Sequence, residues 1–448
     1  MNFEQIKEIL VAAAAREGIE EYEIYAMSDT SLSTETLKDE ISAFSYGVSG
    51  GVSFRCVLDG KMGYASGELM TEDALSALVT RAAENARCIE SDDAAEIYGG
   101  SAHYEQVQTK EFTLPEAAAL KAWALDLQKA TYAEDTMVSD GTQSMAMGYE
   151  SEIDLYNSKG LSLHNRVGIA GAGVYAVVKA DEDNAEMDGK IVPGATYEDF
   201  ADIPAGVVKG AKARLGATVV ASGHYDCILC AQQVRALLGV FSSAFSAKQV
   251  QMGLSLLKGK IGEKIAADCL SITDDPHDPN CPVQTSFDGE GVATFAKPMI
   301  EGGVLKQYLY DLATAKKDGV VSPGNGQRGS YTSPVSISPY CFRVEAGELS
   351  REDMMAKIGD GIMITELKGL HAGANAVSGD FSIESAGFRI RDGKQAEPIK
   401  SFTIAGNLFE LIKNIGGVGN KIDYGFPGGF TVMAAPDLWI KNVSVAGK

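Results

Sequence analysis

From Cys269 onward the sequence is cut into short apolar runs by Gly, Pro and Ser, and this punctuation constrains the fold more than any other feature. Short apolar runs bounded by turn residues build sheets, so the second half reads as a β-rich domain. The first half alternates differently. Phe3, Ile6, Ile9, Leu10 and Ala13 recur at helical spacing, with Asn2 and Gln5 placed for a capping box and Gly18 as the stop. Tyr22 to Ala26 reads as a strand, and Val52 to Val57 with Met62 to Ala65 as a hairpin around Asp59-Gly60. Thr71 caps a helix bearing Leu75, Leu78, Ala82 and Ala86, and a second helix starts near Pro115 with Leu120, Trp123 and Leu127 on one face. Strands return over Ile153–Tyr156, Leu161–Asn165 and Val167–Ala180, ending at an acidic turn, Asp181 to Asn184. The expected fold class is α+β: an N-terminal module of helices and antiparallel strands over residues 1–215, then a β-rich domain over 216–448. Within the latter, helices are expected at Gln232–Gln251, Leu349–Ile364 and Asn407–Ile415.

Charge excludes one class of partner. The 448 residues carry 39 Lys and Arg against 61 Asp and Glu, a net charge of −22 with no basic block, where a phosphate-binding surface needs the opposite sign. Direct nucleic-acid binding is not expected. The N-terminal segment has Glu4 and Glu8 against Lys7, unlike the positive start of a secretion signal, and no apolar run approaches bilayer length. A cytoplasmic, membrane-free protein is expected. Seven scattered cysteines suit a reducing compartment, and Cys227 and Cys230 read as small core residues of a strand rather than half a metal site.

Several motifs carry chemistry only on the surface. Gly324-Asn-Gly326-Gln-Arg-Gly329 spells the dinucleotide fingerprint, yet Ser330 to Pro334 cannot open the helix that would hold a pyrophosphate, so it reads as a loop. Ser255-Leu-Leu-Lys258 has no accompanying Lys-Thr-Gly. Asp274, Asp275 and His277 offer metal donors, but the flanking prolines favour a solvated turn. No paired-histidine helix of the His-Glu-x-x-His type exists. The densest unusual segment is Gly369 to Ser382, whose small residues permit close backbone approach while His371, Asn375, Ser378 and Asp380 supply polar handles.

That segment opens a resemblance. Gly379-Asp-Phe-Ser382, Ser385-Ala-Gly-Phe388, Arg391-Asp-Gly393 and Asn414-Ile-Gly-Gly-Val-Gly-Asn420 resemble the C-terminal signature of the TldD/PmbA family. Ser271 to Pro276, Phe287 to Gly291 and Gly302 to Leu305 follow the family's order upstream. The TldD branch resembles zinc peptidases with a His-Glu-x-x-x-His helix and a C-terminal cysteine ligand. Aligned on Leu237-Leu238, the two His and the Glu become Gly239, Ala244 and Val240, and Asp423 to Gly429 holds no cysteine. The chain therefore resembles the PmbA (TldE) branch.

The resemblance implies a non-catalytic subunit of a cytoplasmic metallopeptidase that degrades or processes extended peptides, with no cofactor in this chain and zinc on a TldD-like paralogue. His371, Asn375, Ser378 and Asp380 are the expected contacts along a peptide channel. The alternatives are a stand-alone homo-oligomeric peptide-binding protein, a homodimer included, and an independent hydrolase built on Asp274, Asp275 and His277.

Overall fold

A computed structural model describes all residues except 91–94, 108–111 and 183, so residue 183 of the acidic turn lies outside the described residues. Helix accounts for 25% and strand for 40%, an α+β chain with a β-rich C-terminal region. Helix α1 (Phe3–Arg16) starts at the expected capping box, in which Asn2 Oδ1 accepts from Gln5 N at 3.0 Å and Gln5 Oε1 from Asn2 N at 3.1 Å. Strands β1 (Glu21–Leu37), β2 (Glu40–Leu58) and β3 (Lys61–Gly67) follow, then α2 (Glu72–Cys88) and α3 (Ala117–Glu134). Strands β4 (Gln143–Asn157), β5 (Ser162–Lys179) and β6 (Ala185–Pro193) and helix α4 (Ile203–Arg214) complete this half. The strands form one antiparallel sheet in the order β3-β2-β1-β4-β5-β6. Asp59 and Gly60 both take positive φ, +51° and +75°, the backbone of the two-residue turn that the hairpin requires. Helix α3 begins two residues later than expected, with Glu116 at its N-cap and Pro115 just outside. Helices α1 and α2 bury Leu10, Leu75 and Leu78 against Ile24 and Phe54 of the sheet.

The second half holds strand β7 (Gly223–Leu229), helices α5 (Ala231–Phe241) and α6 (Ala247–Gln251), and strands β8 (Ile272–Asp274), β9 (Lys297–Glu301) and β10 (Val304–Leu305). Next come α7 (Leu312–Asp318), β11 (Gly326–Gln327), β12 (Ser336–Ile337), β13 (Cys341–Val344), α8 (Arg351–Ile358) and β14 (Gly361–Lys368). The remainder is α9 (Leu370–Gly373), β15 (Asp380–Arg391), β16 (Lys394–Asn407), α10 (Leu408–Leu411), β17 (Ile415–Val418), β18 (Asp423–Tyr424), β19 (Val432–Ala435) and β20 (Leu438–Ala446). One sheet runs β10-β9-β8-β13-β19-β18. The other runs β16-β15-β14-β7-β20-β17, and because β16 also pairs with β20, five of its strands close into a ring.

Two helices differ from expectation for backbone reasons. The periodic stretch Gln232–Gln251 breaks after Phe241 into a 3₁₀ turn, Ser242–Phe245, before α6. The stretch Leu349–Ile364 is helical only to Ile358: Gly359 takes φ +71°, and the chain re-enters as β14. Cys227 and Cys230 are buried, and burial pushes both thiols well up, the latter to about 12, so neither is a ready thiolate. No helix among the described residues is long and apolar enough to cross a membrane.

The halves meet along a seam. Tyr25, Met27, Ile153 and Leu155 of the first sheet pack on Phe287 and Tyr331. Gly51 makes this contact possible, since a Cβ there would lie 2.4 Å from the Tyr331 ring.

Candidate functional site

Helix α5 packs Val234, Leu237 and Phe241 inward. Its first turn has no side-chain cap of its own, so Asp437 Oδ1 accepts from Ala231 N at 2.8 Å, while Arg351 holds the same carboxylate through contacts of 2.7 and 3.1 Å. The three degenerate metal-motif positions straddle the break in this helix. Gly239 is exposed, Val240 is half-buried, and Ala244 is buried in the 3₁₀ turn, where Ser242 Oγ donates back to Gly239 O at 3.1 Å. None carries a lone pair that zinc could use, and the space beneath α5 is an apolar cavity of about 50 Å³ walled by residues such as Leu237, Phe241, Phe342 and Leu408. Among the described residues no three His, Cys, Asp or Glu converge to hold a metal. The residues present do not fit a zinc ion.

The segment Gly369–Ser382 sits beside α5, because α9 packs against it. His371 is exposed on α9. Asn375, Ser378 and Asp380 come together, but chiefly to brace their own turn: Asn375 Oδ1 accepts from Val377 N and Ser378 N at 2.9 and 3.2 Å, and Ser378 Oγ from Asp380 N at 3.3 Å. Asn407 Nδ2 ties both ends by donating to Ser378 O at 2.7 Å and Asp380 Oδ1 at 2.9 Å. The hydrogen bonds from Asn407 and then Ser378 hold the Asp380 carboxyl below its ordinary range. Gly379 is required here, at φ +77° with Phe409 2.8 Å from where a Cβ would stand.

Asp274, Asp275 and His277 do not form a site. Asp274 is fully buried, as is Asp278, which corrects the expected solvated turn. Asp274 accepts from Tyr340 N and Asn325 Nδ2, both at 2.8 Å, and from Lys297 Nζ at 3.3 Å. The His277 ring turns away, its Nε2 3.0 Å from Thr294 Oγ1, and burial lowers its pKa. Asp278 accepts from Tyr424 Oη at 2.8 Å and pairs with Arg343.

The densest buried charge lies at the seam. Arg55 on β2 meets Glu23 on β1 through two contacts, 2.7 and 2.8 Å, and Glu290 at 3.4 Å. Arg328 also reaches Glu23, at the Oε1 that Arg55 Nε contacts, and stacks 4.5 Å over the Tyr25 ring. Burial alone would raise the Glu23 pKa, but Arg55 and Arg328 outweigh it and leave it lowered. Asp288 accepts from Gly326 N, Glu290 N and Val292 N at 2.8–3.0 Å, yet burial and the Glu290 charge push it up to about 7. Lys297 is lowered by burial against the pull of Asp274. One sequence signal pointed here. The Gly324–Gly329 run opens no helix, but instead of a plain loop it carries the short strand β11 paired with β12, and its non-glycine residues Asn325, Gln327 and Arg328 are all buried.

Residues 222–447 match the PmbA/TldA metallopeptidase C-terminal domain, and residues 22–86 match PmbA/TldA metallopeptidase domain 1. The chain belongs to the PmbA/TldD family. The C-terminal match opens just before β7 and so spans the closed ring, α5 and the Gly369–Ser382 segment. The chain is 27% identical to an uncharacterised protein of Methanocaldococcus jannaschii, over 91% of this chain and 93% of that one. It is 24% identical to the metalloprotease PmbA of Escherichia coli O157:H7, over 90% and 88%. A Thermotoga maritima protein named as a modulator of a DNA gyrase shares the fold with a TM-score of 0.89 and 26% identity, covering 99% of this chain and 100% of that one. TldE of Thermococcus kodakarensis has the same fold, with a TM-score of 0.89 at 22% identity, covering 99% and 100%.

Proposed function

We propose that this chain is a non-catalytic subunit of a TldD-type metallopeptidase, with the zinc and its general base carried by a paralogous subunit. The observation that carries the reading is the trio Gly239, Val240 and Ala244 on a broken helix: a hydrogen, an isopropyl and a methyl group can neither coordinate a metal nor take a proton from its water. In this reading the chain's part is binding. The Gly369–Ser382 turn stands beside α5, so His371, Asn375, Ser378 and Asp380 flank the place where the partner's chemistry would be needed. Extended peptides are held by main-chain hydrogen bonds along such strand-rich walls, which gives tolerance of side-chain sequence. The net charge of −22 supports a role at peptides rather than contact with DNA, and the compartment is the cytoplasm.

The test is co-expression with a TldD-like paralogue bearing the His-Glu-x-x-x-His helix, followed by pull-down and cleavage of an unfolded peptide. The mixture cleaves and this chain alone does not. Stoichiometric zinc in the purified chain, or cleavage by it alone, overturns the reading. Cleavage by the mixture that is unchanged when His371, Asn375, Ser378 and Asp380 all become Ala removes those four from the wall.

A further inference from the structure

The apolar cavity beneath α5 has two kinds of wall. The inner one is core, where Leu237, Phe241 and Phe342 are buried. The outer one is only half-buried and is made by Leu238 and Ser242 of the α5 end and by Leu408, Phe409 and Leu411 of α10. Among the described residues Ser242 alone brings a polar side chain to this lining, and its hydroxyl is spent on Gly239 O at 3.1 Å. Such a space offers water no hydrogen bond and suits an apolar group. Its volume of about 50 Å³ gives room for roughly three or four methyl-sized groups, well short of the ~150 Å³ that admits a benzene ring.

The outer wall is wired to the Gly369–Ser382 turn. Leu408 N donates to Gly379 O at 2.8 Å, and Asn407, which holds Ser378 and Asp380, accepts from Phe409 N at 3.0 Å. Val377, 44% exposed, adds an apolar side chain to the turn itself. Whatever lies along the turn therefore lies beside the half-buried wall of the cavity.

We propose that this cavity receives one aliphatic side chain, of the size of Leu, Ile or Val, from an extended peptide laid along the turn. The proposal rests on the peptide-binding reading above and adds a selectivity to it: in strand-like recognition main-chain hydrogen bonds give affinity, and side-chain pockets give specificity. Chemistry and size choose the occupant. A carboxylate, ammonium or amide group would enter without a partner on any wall and lose its hydration. Phe and Trp exceed the space, and Ala leaves most of it unfilled and so forfeits the dispersion contacts.

The experiment uses the full chain alone and reads, by fluorescence anisotropy, the binding of a labelled Gly/Ser peptide with one guest residue. A Leu guest is expected to bind about tenfold tighter than Ala, Phe or Asp. Leu238→Trp, which sets an indole into the cavity from a half-buried position, is expected to abolish the difference. Leu411→Ala widens the outer wall and is expected to move the preference from Leu towards Phe, with an unchanged circular dichroism spectrum. Equal affinity for the Leu, Ala and Asp peptides, or a Leu preference that neither variant moves, overturns the proposal. A mixture with the paralogue that fails to cleave while the Leu preference stands overturns the subunit reading and leaves the pocket supported. Cleavage by that mixture at rates indifferent to the guest residue overturns the pocket and leaves the subunit reading.

Discussion

Glu23 is clasped by two buried guanidinium groups, and replacing it with Gln tests whether that clasp joins the two halves. The substitution keeps the shape and one acceptor but removes the charge. Arg55 retains Glu290 at 3.4 Å, while Arg328 is left with the Tyr25 ring. Removing one partner of a buried ion pair costs about 3–5 kcal/mol, and the residual acceptor places Glu23→Gln near the lower end, about 3 kcal/mol. Adding Arg328→Met removes the stranded charge and is expected to recover on the order of 1–2 kcal/mol. Urea unfolding followed by fluorescence measures both, because the only two tryptophans, Trp123 and Trp439, lie on opposite sides of the seam. Changing either to Phe isolates the signal of the other half. The Glu23 pKa is lowered from 4.5, so its stabilisation is present above that value and is lost as pH falls through the lowered folded-state value. The gap between wild type and Glu23→Gln therefore narrows in acid. A single variant within about 0.5 kcal/mol of wild type, or a double variant less stable than the single, refutes this account of the seam.

Asp288 titrates with the opposite sign. Its folded pKa is raised to about 7 from 3.8, so ionising it opposes folding, and that penalty is relieved as pH falls through 7 towards 4. Asp288→Asn is accordingly expected to cost less at pH 8 than at pH 5, measured by urea midpoints at both. Gly63→Ala places a Cβ 2.0 Å from the Ala82 carbonyl of α2 and is expected to cost about 1–3 kcal/mol in thermal or urea unfolding. Asp437→Ala removes both the external cap of α5 and the partner of Arg351, for a loss of about 1–2 kcal/mol, with the Trp439 signal shifting first.

Local chemistry was legible in the sequence and distant pairing was not. The Asn2–Gln5 box, the Thr71 cap and the Asp59-Gly60 turn are decided within four residues, and each stands where the sequence puts it. Gly359, at a positive φ of +71°, ended a helix that periodicity alone carried on to Ile364. Asp274 read as solvated because its neighbours are Asp and Pro, but its fate is set by Lys297, Asn325 and Tyr340, 23 to 66 residues away. The charge clasp was invisible for the same reason: Glu23 and Arg328 are 305 residues apart. At the candidate wall, Asn375 and Ser378 were read as polar handles for a ligand, whereas much of their hydrogen-bonding capacity shapes the turn that presents them.

The closed ring has a consequence for how the chain is made. Every pairing of the first sheet lies within Glu21–Pro193, whereas the ring cannot close until Leu438–Ala446 has left the ribosome, roughly 250 residues later. At the usual 5–20 residues per second this is a wait of about 10–50 s. Until Phe287, Arg328 and Tyr331 have emerged within it, the first sheet stands complete with Tyr25, Met27, Ile153 and Leu155 lacking that cover and Glu23 answered by Arg55 alone. The nascent protein therefore passes through a half-molecule whose sticky face is bare. That interval, rather than the finished fold, is where a folding helper would find most to hold.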